Sequence, residues 1–116
     1  MIQGIGIDVV KIDRIAKACN NKSFIRRVLN EGESYQNAQH MAGIWACKEA
    51  ALKALGTGLG PLSFRDMTVE KDSCGRPSLR LSPKGQARLT FLGGERIWVS
   101  ISHEREFAVA QAIIEG

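Results

Sequence analysis

A glutamate and a lysine stand four residues apart on a segment that is otherwise almost entirely apolar. Glu49 and Lys53 lie in the sequence IWACKEAALKALG, residues 44–56. A helix turns by about 100° per residue, so these two side chains lie only about 40° apart. Apolar residues occupy almost every other direction, and the helix should therefore be largely buried. A carboxylate on a buried helix needs a partner, because an unpaired buried charge is costly.

Two interpretations of Glu49 fit this pattern. It forms a salt bridge with Lys53, worth a few tenths of a kcal/mol, or it binds a hard cation while Lys53 contacts a phosphate that the cation bridges. Asp8 favours the second interpretation, because it stands where the apolar segment IQGIGID ends. Magnesium sites usually take one or two protein carboxylates, with phosphates and waters as the remaining ligands. Taken alone, Asp8 could equally be a helix cap or a turn residue.

The other candidates carry weaker signals. The segment GTGLG at 56–60 lacks the lysine that ends a P-loop, and GIGID at 4–8 lacks the third glycine of a dinucleotide-binding fingerprint. Both glycine-rich segments predict tight turns, or a backbone that comes close to a phosphate. His103 follows a predicted strand, where a histidine that faces solvent is the simplest interpretation, and His40 has no pattern around it.

Hydrophobic periodicity predicts the elements that must position these residues. The first strand should end near Asp8, and a helix should begin at Lys11. The remaining predicted helices cover 23–30, 41–55 and 83–92, and the remaining strands 67–72, 78–82, 96–101 and 107–114. Residues 31–39 are polar and predict a loop. This order predicts an α+β fold with a mainly antiparallel sheet and a long buried central helix.

Length and composition limit the possible functions. A chain of 116 residues has room for a single domain, 1–116. No apolar run approaches the ~18 residues of a membrane span, and Asp8 interrupts the N-terminal apolar stretch before it could serve as a signal peptide. Three widely spaced cysteines without a CxxC pair favour a reduced, cytoplasmic protein. The net charge of +4 favours an acidic partner or ligand.

Three segments, GIGIDVVKIDRI, WACKEAALKALGTGLG and VSISHEREFAVAQAI, resemble the short holo-acyl-carrier-protein synthases, which are 4′-phosphopantetheinyl transferases. The likeness covers essentially the whole chain in the same order, and the central KEAxxKAxGTG pattern is highly specific. The resemblance implies the fold of these transferases. It also implies that phosphopantetheine passes from coenzyme A to a serine of an apo acyl carrier protein, with Mg²⁺ bound and 3′,5′-ADP released, in fatty acid biosynthesis.

The resemblance also implies roles for individual residues. Asp8 and Glu49 are the expected magnesium ligands, and Lys53 is the expected catalytic lysine on the phosphates. The proton of the serine could pass to Glu49 or to a metal-bound water. The remaining expected contacts to coenzyme A are Gly56, Thr57, Gly58, Arg76 and His103.

For partners, the resemblance implies an acidic carrier protein and a homotrimer with its sites at the subunit interfaces. Asp8, Glu49 and His103 are expected from one chain and part of the cleft from the next.

Arg14 and Arg27 best match the family's basic docking positions, although a solvated helix face would look the same. The strands at 96–101 and 107–114 are the expected trimer interface. A nucleic-acid partner is not expected, because the basic residues are not interleaved with aromatic ones.

Two positions depart from the family pattern. Ile44 stands where an arginine is usual, and Glu104 stands where a threonine is usual. These departures motivate a rival interpretation, in which the chain is a non-catalytic protein that uses the same fold and its basic face to hold an acidic partner.

Overall fold

The computed structural model describes residues 1–57 and 60–116 and has the predicted α+β architecture. A 3₁₀ turn at Phe64–Asp66 precedes the strand hairpin. The helices are α1 Ile12–Ala18, α2 Lys22–Val28, α3 Ala38–Leu55 and α4 Pro83–Phe91, and the strands are β1 Ile2–Lys11, β2 Met67–Lys71, β3 Pro77–Leu81, β4 Arg96–His103 and β5 Phe107–Glu115. None of the described helices has the length and apolar character needed to cross a membrane.

Two antiparallel sheets form in the described residues. The larger has the strand order β1-β5-β4, and β2 pairs with β3 in a separate hairpin. The side chains of β5 alternate between the two faces of the sheet. Those that face the core are buried: Ala108, Ala110, Ala112 and Ile114. The small side chains of the three alanines let α3 lie close to β5, the central strand of the sheet.

Helix α3 is the centre of the core, as its sequence predicts. Twelve of its eighteen residues are buried. It begins at Ala38 rather than at residue 41, because the Asn37 side chain accepts a 2.8 Å hydrogen bond from the amide of His40 and caps the helix. It ends at Gly56, which adopts a left-handed conformation with φ of 71°.

Strand β1 extends beyond its predicted end at Asp8. Val9, Val10 and Lys11 continue the antiparallel pairing with β5, so the strand reaches Lys11 before α1 begins. The extension moves Asp8 from the end of a strand to its interior. Its interpretation as a cap or turn residue was therefore wrong.

Gly4 and Gly6 are not turn residues, as their spacing had suggested, but lie inside β1. A Cβ added to Gly6 would overlap the carbonyl oxygen of Ala50 and lie 2.7 Å from the amide nitrogen of Ala54. A Cβ on Gly4 would overlap the carbonyl oxygen of Ala54. The two glycines therefore allow the backbone of β1 to pack directly against α3.

Candidate active site

The structure brings Asp8 and Lys53 together across the contact between β1 and α3. The ammonium group of Lys53 donates to Asp8 Oδ1 at 3.1 Å and to the carbonyl oxygen of Ile7 at 2.9 Å. Residues two apart in a strand share a face, so Gly4, Gly6 and Asp8 all face the helix. The two glycines let β1 approach α3 closely, and Asp8 occupies the next position on the face of β1 that contacts the helix.

Glu49 belongs to the same charged cluster. Burial raises the pKa of its carboxyl group, and the neighbouring carboxylate of Asp8 raises it further, while Lys53 and Arg14 act in the opposite direction. Within the described residues the lysine forms its ion pair with Asp8 and not with Glu49. The simpler interpretation, a Glu49–Lys53 salt bridge, is therefore not what forms here.

This pair of carboxylates fits a hard divalent cation. Two nearby like charges repel each other, and a bound cation would remove that repulsion. Among residues 1–57 and 60–116, no group of three or more His, Cys, Asp or Glu side chains could hold a metal ion. Two carboxylates without sulfur or imidazole ligands suit Mg²⁺, which takes its other ligands from phosphates and water.

The C-terminal end of α3 lies one turn beyond Lys53. The hydroxyl oxygen of Thr57 is buried there and has no hydrogen-bond partner among the described residues. Arg88 donates to the carbonyl oxygen of Leu55 at 2.9 Å and fixes this end of the helix. The expected ligand contact at Gly58 lies outside the described residues.

His103 lines a separate open cavity of about 520 Å³ between α3, β4 and the β2–β3 hairpin, which we call the α3–β4 cavity. Gly75 and Pro77, on either side of Arg76, also line it. The cavity is lined by Gly32, Glu33, Ser34, Gln36, Asn37, Gln39, His40, Gly43, Ile44, Val69, Lys71, Gly75, Pro77, Ile101 and His103. None of Asp8, Glu49 and Lys53 is among these residues.

The charged cluster and the α3–β4 cavity use different sides of α3. His40 lines the cavity, and Glu49 follows nine residues later, which places the two about 180° apart around the helix. One chain therefore does not bring His103 and the two carboxylates into one cavity.

The two departures from the family pattern have different structural consequences. Glu104 Oε1 accepts hydrogen bonds from the amides of Glu106, at 2.7 Å, and Phe107, at 3.0 Å. Its carboxylate thus closes the turn between β4 and β5. Ile44 is buried in the wall of the α3–β4 cavity, where it supplies no charge.

Arg14 and Arg27 line a second cavity, of about 460 Å³, which we call the α1–α2 cavity. Trp45 packs between Phe24 and Phe64, with ring centroids 5.5 Å and 4.9 Å away, and forms its apolar floor. The two predicted docking arginines therefore flank an apolar depression.

Sequence reasoning missed two features of these cavities. Arg65 adds a third basic side chain to the α1–α2 cavity, and its sequence signal was a basic position directly after Phe64. Lys48 is fully buried and forms an ion pair with Glu33. Its position on an apolar helix, roughly 140° from Lys53, was the signal that could have indicated this pairing.

Comparison with known proteins identifies the class to which this fold and site belong. The sequence profile described as the 4′-phosphopantetheinyl transferase superfamily matches residues 4–112. The chain therefore belongs to this superfamily, and the predicted enzyme class is confirmed.

Within the superfamily, the chain is similar to holo-acyl-carrier-protein synthases. It is 41% identical to that enzyme of Treponema pallidum, over 100% of this chain and 98% of the relative. The crystal structure of the Neisseria meningitidis synthase has a TM-score of 0.92 and 31% identity, with both chains fully covered. The Helicobacter pylori synthase, solved in complex with coenzyme A, has a TM-score of 0.81 and 32% identity, over 96% of this chain and 99% of that one. The predicted fold is thereby confirmed.

Proposed function

We propose that this chain transfers 4′-phosphopantetheine from coenzyme A to a serine hydroxyl of an apo acyl carrier protein and releases 3′,5′-ADP, as a step in fatty acid biosynthesis. The observation that carries the proposal is the Asp8–Lys53 pair beside Glu49, in a chain of this superfamily. The complex of the Helicobacter pylori relative with coenzyme A supports the choice of donor. Three free cysteines fit a reducing compartment, which we take to be the cytoplasm.

Asp8 and Glu49 would hold Mg²⁺ together. When bound, the ion would neutralise charge on the pyrophosphate of coenzyme A. Lys53 has a fixed position, because it bonds both Asp8 and the carbonyl oxygen of Ile7. Its ammonium group would stabilise the negative charge that develops on the departing 3′,5′-ADP.

The transfer forms a bond between the serine oxygen and phosphorus and breaks the bond from phosphorus to the leaving phosphate oxygen. The serine hydroxyl must also lose its proton. Glu49 or a water bound to the ion would accept it.

The nucleotide end of coenzyme A would occupy the α3–β4 cavity, whose volume of about 520 Å³ is in the range of small-molecule sites. His103 and the turn at Arg76 would contact it there. Gly56 and Thr57 would face the phosphates at the end of α3.

A homotrimer with its sites between subunits would combine these two regions. The carboxylates and the cavity lie on different sides of α3, so a neighbouring copy would supply the cavity. The apolar side chains Ile5, Ile7 and Val9 on β1 are 60–62% exposed and Trp98 on β4 is 42% exposed, which extends the interface expected on β4 and β5 to β1. Light scattering should give an active species of three chains; an active monomer would contradict this arrangement.

Mass spectrometry tests the proposed transfer directly. An apo acyl carrier protein incubated with the enzyme, coenzyme A and Mg²⁺ should gain the mass of one phosphopantetheine. The same mixture with a chelator should gain none. A carrier protein that binds the enzyme but gains no mass in the presence of Mg²⁺ would contradict the proposal and favour the non-catalytic interpretation.

Charge reversal at Arg27 should weaken recognition of the carrier protein and leave the chemistry intact. Arg27→Glu places a negative charge beside an apolar depression that would receive an acidic helix. We expect the KM for the carrier protein to rise about tenfold or more, and the salt dependence of kcat/KM to flatten, because rim charges mainly accelerate association. The KM for coenzyme A should stay the same. Reversal of exposed Lys84 on α4 is the matched control, and equal effects of the two substitutions would contradict the assignment.

A further inference from the structure

A fully buried lysine lies next to Glu49 but takes no part in the proposed chemistry. Lys48 has 0% of its surface exposed. Its ammonium group donates to the carbonyl oxygen of Val28 at 2.6 Å and to Glu33 Oε1 at 2.7 Å. The side chain of Glu33 is itself 3% exposed. The buried ammonium group of Lys48 and the buried carboxylate of Glu33 therefore form a hydrogen-bonded ion pair.

The carboxylate of Glu33 joins separate parts of the chain. Its Oε1 also accepts a 2.7 Å hydrogen bond from the amide of Asn30, and its Oε2 accepts a 2.9 Å bond from the amide of Val69 on β2. Asn30 in turn donates through its side chain to the carbonyl oxygen of Met67 at 2.9 Å. The pair thus links α3, the segment 29–37 and β2.

These three segments are walls of the α3–β4 cavity. The segment 29–37 contributes five lining residues. The other residues of these walls are Val69 and Lys71 of β2 and Gln39, His40, Gly43 and Ile44 of α3. Glu33 lies in the cavity wall, and Lys48 supports it from behind without lining the cavity itself. The ion pair is therefore placed to fix the distances between the walls.

A buried ion pair of this kind is not expected to add much to the free energy of unfolding. The cost of removing two charges from water often exceeds their attraction, so an apolar pair of similar size is commonly as stable. Hydrogen bonds behind the ligands of a metal site hold those ligands in one arrangement, and a buried pair behind a cavity wall is placed to act on that wall in the same way.

We propose that Glu33 and Lys48 are positioning residues that hold segment 29–37 and β2 against α3, and thereby set the affinity of the α3–β4 cavity for the nucleotide part of coenzyme A. This inference rests on the proposed function of the cavity. Lys48 and Glu49 are successive residues on the helix and point about 100° apart. Loss of the pair should therefore affect binding of coenzyme A far more than the chemical step.

The test compares Lys48→Met, Glu33→Gln and the double variant with Lys84→Met, which removes an exposed lysine on α4. We expect the KM for coenzyme A to rise about 10- to 100-fold in each single variant, the range found when supporting interactions behind metal ligands are lost. The values of kcat and of the KM for the carrier protein should stay within about twofold of wild type. The kinetic measurements should be made well below the unfolding temperature of each variant.

The double variant separates positioning from stability. It restores charge balance, so its melting temperature should recover part of the loss seen in Lys48→Met, whereas its KM for coenzyme A should remain high. Unchanged KM for coenzyme A in the folded single variants, or equal rises for both substrates, would overturn the inference. Calorimetric binding of coenzyme A provides the same comparison without catalysis. If wild type binds coenzyme A but transfers nothing, the proposed function fails and the positioning role is still judged by these affinities.

Discussion

Asp8→Asn and Glu49→Gln should each lower the rate of phosphopantetheine transfer on the order of 10³-fold, because a bound cation contributes several kcal/mol of charge stabilisation and each 1.4 kcal/mol is a factor of ten. Both substitutions keep the size of the side chain and remove one of the two negative charges. Asparagine at position 8 can still accept the hydrogen bond from Lys53. The loss should therefore reflect the missing charge and not a displaced lysine.

The Glu49→Gln substitution should not reduce stability, although it reduces activity. Its pKa is raised in the folded protein, first by burial and then by Asp8, so the ionised carboxylate destabilises the native state near neutral pH. Glutamine removes that charge, and in the absence of Mg²⁺ the melting temperature of Glu49→Gln should equal or exceed that of wild type. An inactive protein with undiminished stability would be the signature of a site that sacrifices stability for cation binding.

Matched controls and a magnesium titration complete this experiment. Asp13→Asn and Glu95→Gln remove exposed carboxylates outside the cluster and should retain wild-type rates. In Asp8→Asn the magnesium concentration that gives half-maximal activity should rise. Wild-type activity in either site variant at limiting Mg²⁺ would refute the assignment of these two residues.

Local periodicity was sufficient to predict most of the secondary structure. The α3 helix shows a dense apolar pattern with a glycine at its end, and the strand pairs show alternation around short turns. The errors occur where tertiary contacts decide the boundary. Strand β1 reaches Lys11 only because β5 continues beside it, and α3 begins early only because Asn37 caps it.

The residues of the candidate site that are close together in the sequence could be predicted. Glu49 and Lys53 share a helix face, and the family pattern added Asp8. The choice of Asp8 as the partner of Lys53 depends on a contact across 45 residues, which periodicity does not encode. The Glu33–Lys48 pair was missed for the same reason, since Glu33 lies in a polar segment that had the composition of an exposed loop.

Gly6→Ala should both destabilise the protein and lower its activity. The new Cβ would overlap the carbonyl oxygen of Ala50 and lie 3.0 Å from Lys53 Cβ and 2.7 Å from the amide nitrogen of Ala54. Backbone atoms in the middle of a buried helix cannot rotate away, so β1 must separate from α3. Overpacking of this kind costs about 1–3 kcal/mol or more. We also expect transfer activity to fall by at least about 100-fold, because displacements near 1 Å in a catalytic site cost that much.

Gly4→Ala and Gly85→Ala are the controls that separate the loss of stability from the loss of activity. Gly4 meets the carbonyl oxygen of Ala54 in the same way, but it lies four residues from Asp8, so it should cost similar stability and less activity. The Cβ of Gly85→Ala would lie 3.2 Å from Leu81 Cβ, and the better helix propensity of alanine should offset that contact. Chemical denaturation gives the stabilities, and rates at saturating substrates, in conditions where each variant is folded, give the activities. If Gly4→Ala and Gly6→Ala lose equal activity at equal stability, the close approach at Gly6 supports the fold alone; a selective loss in Gly6→Ala shows that the same approach sets the positions of Asp8 and Lys53.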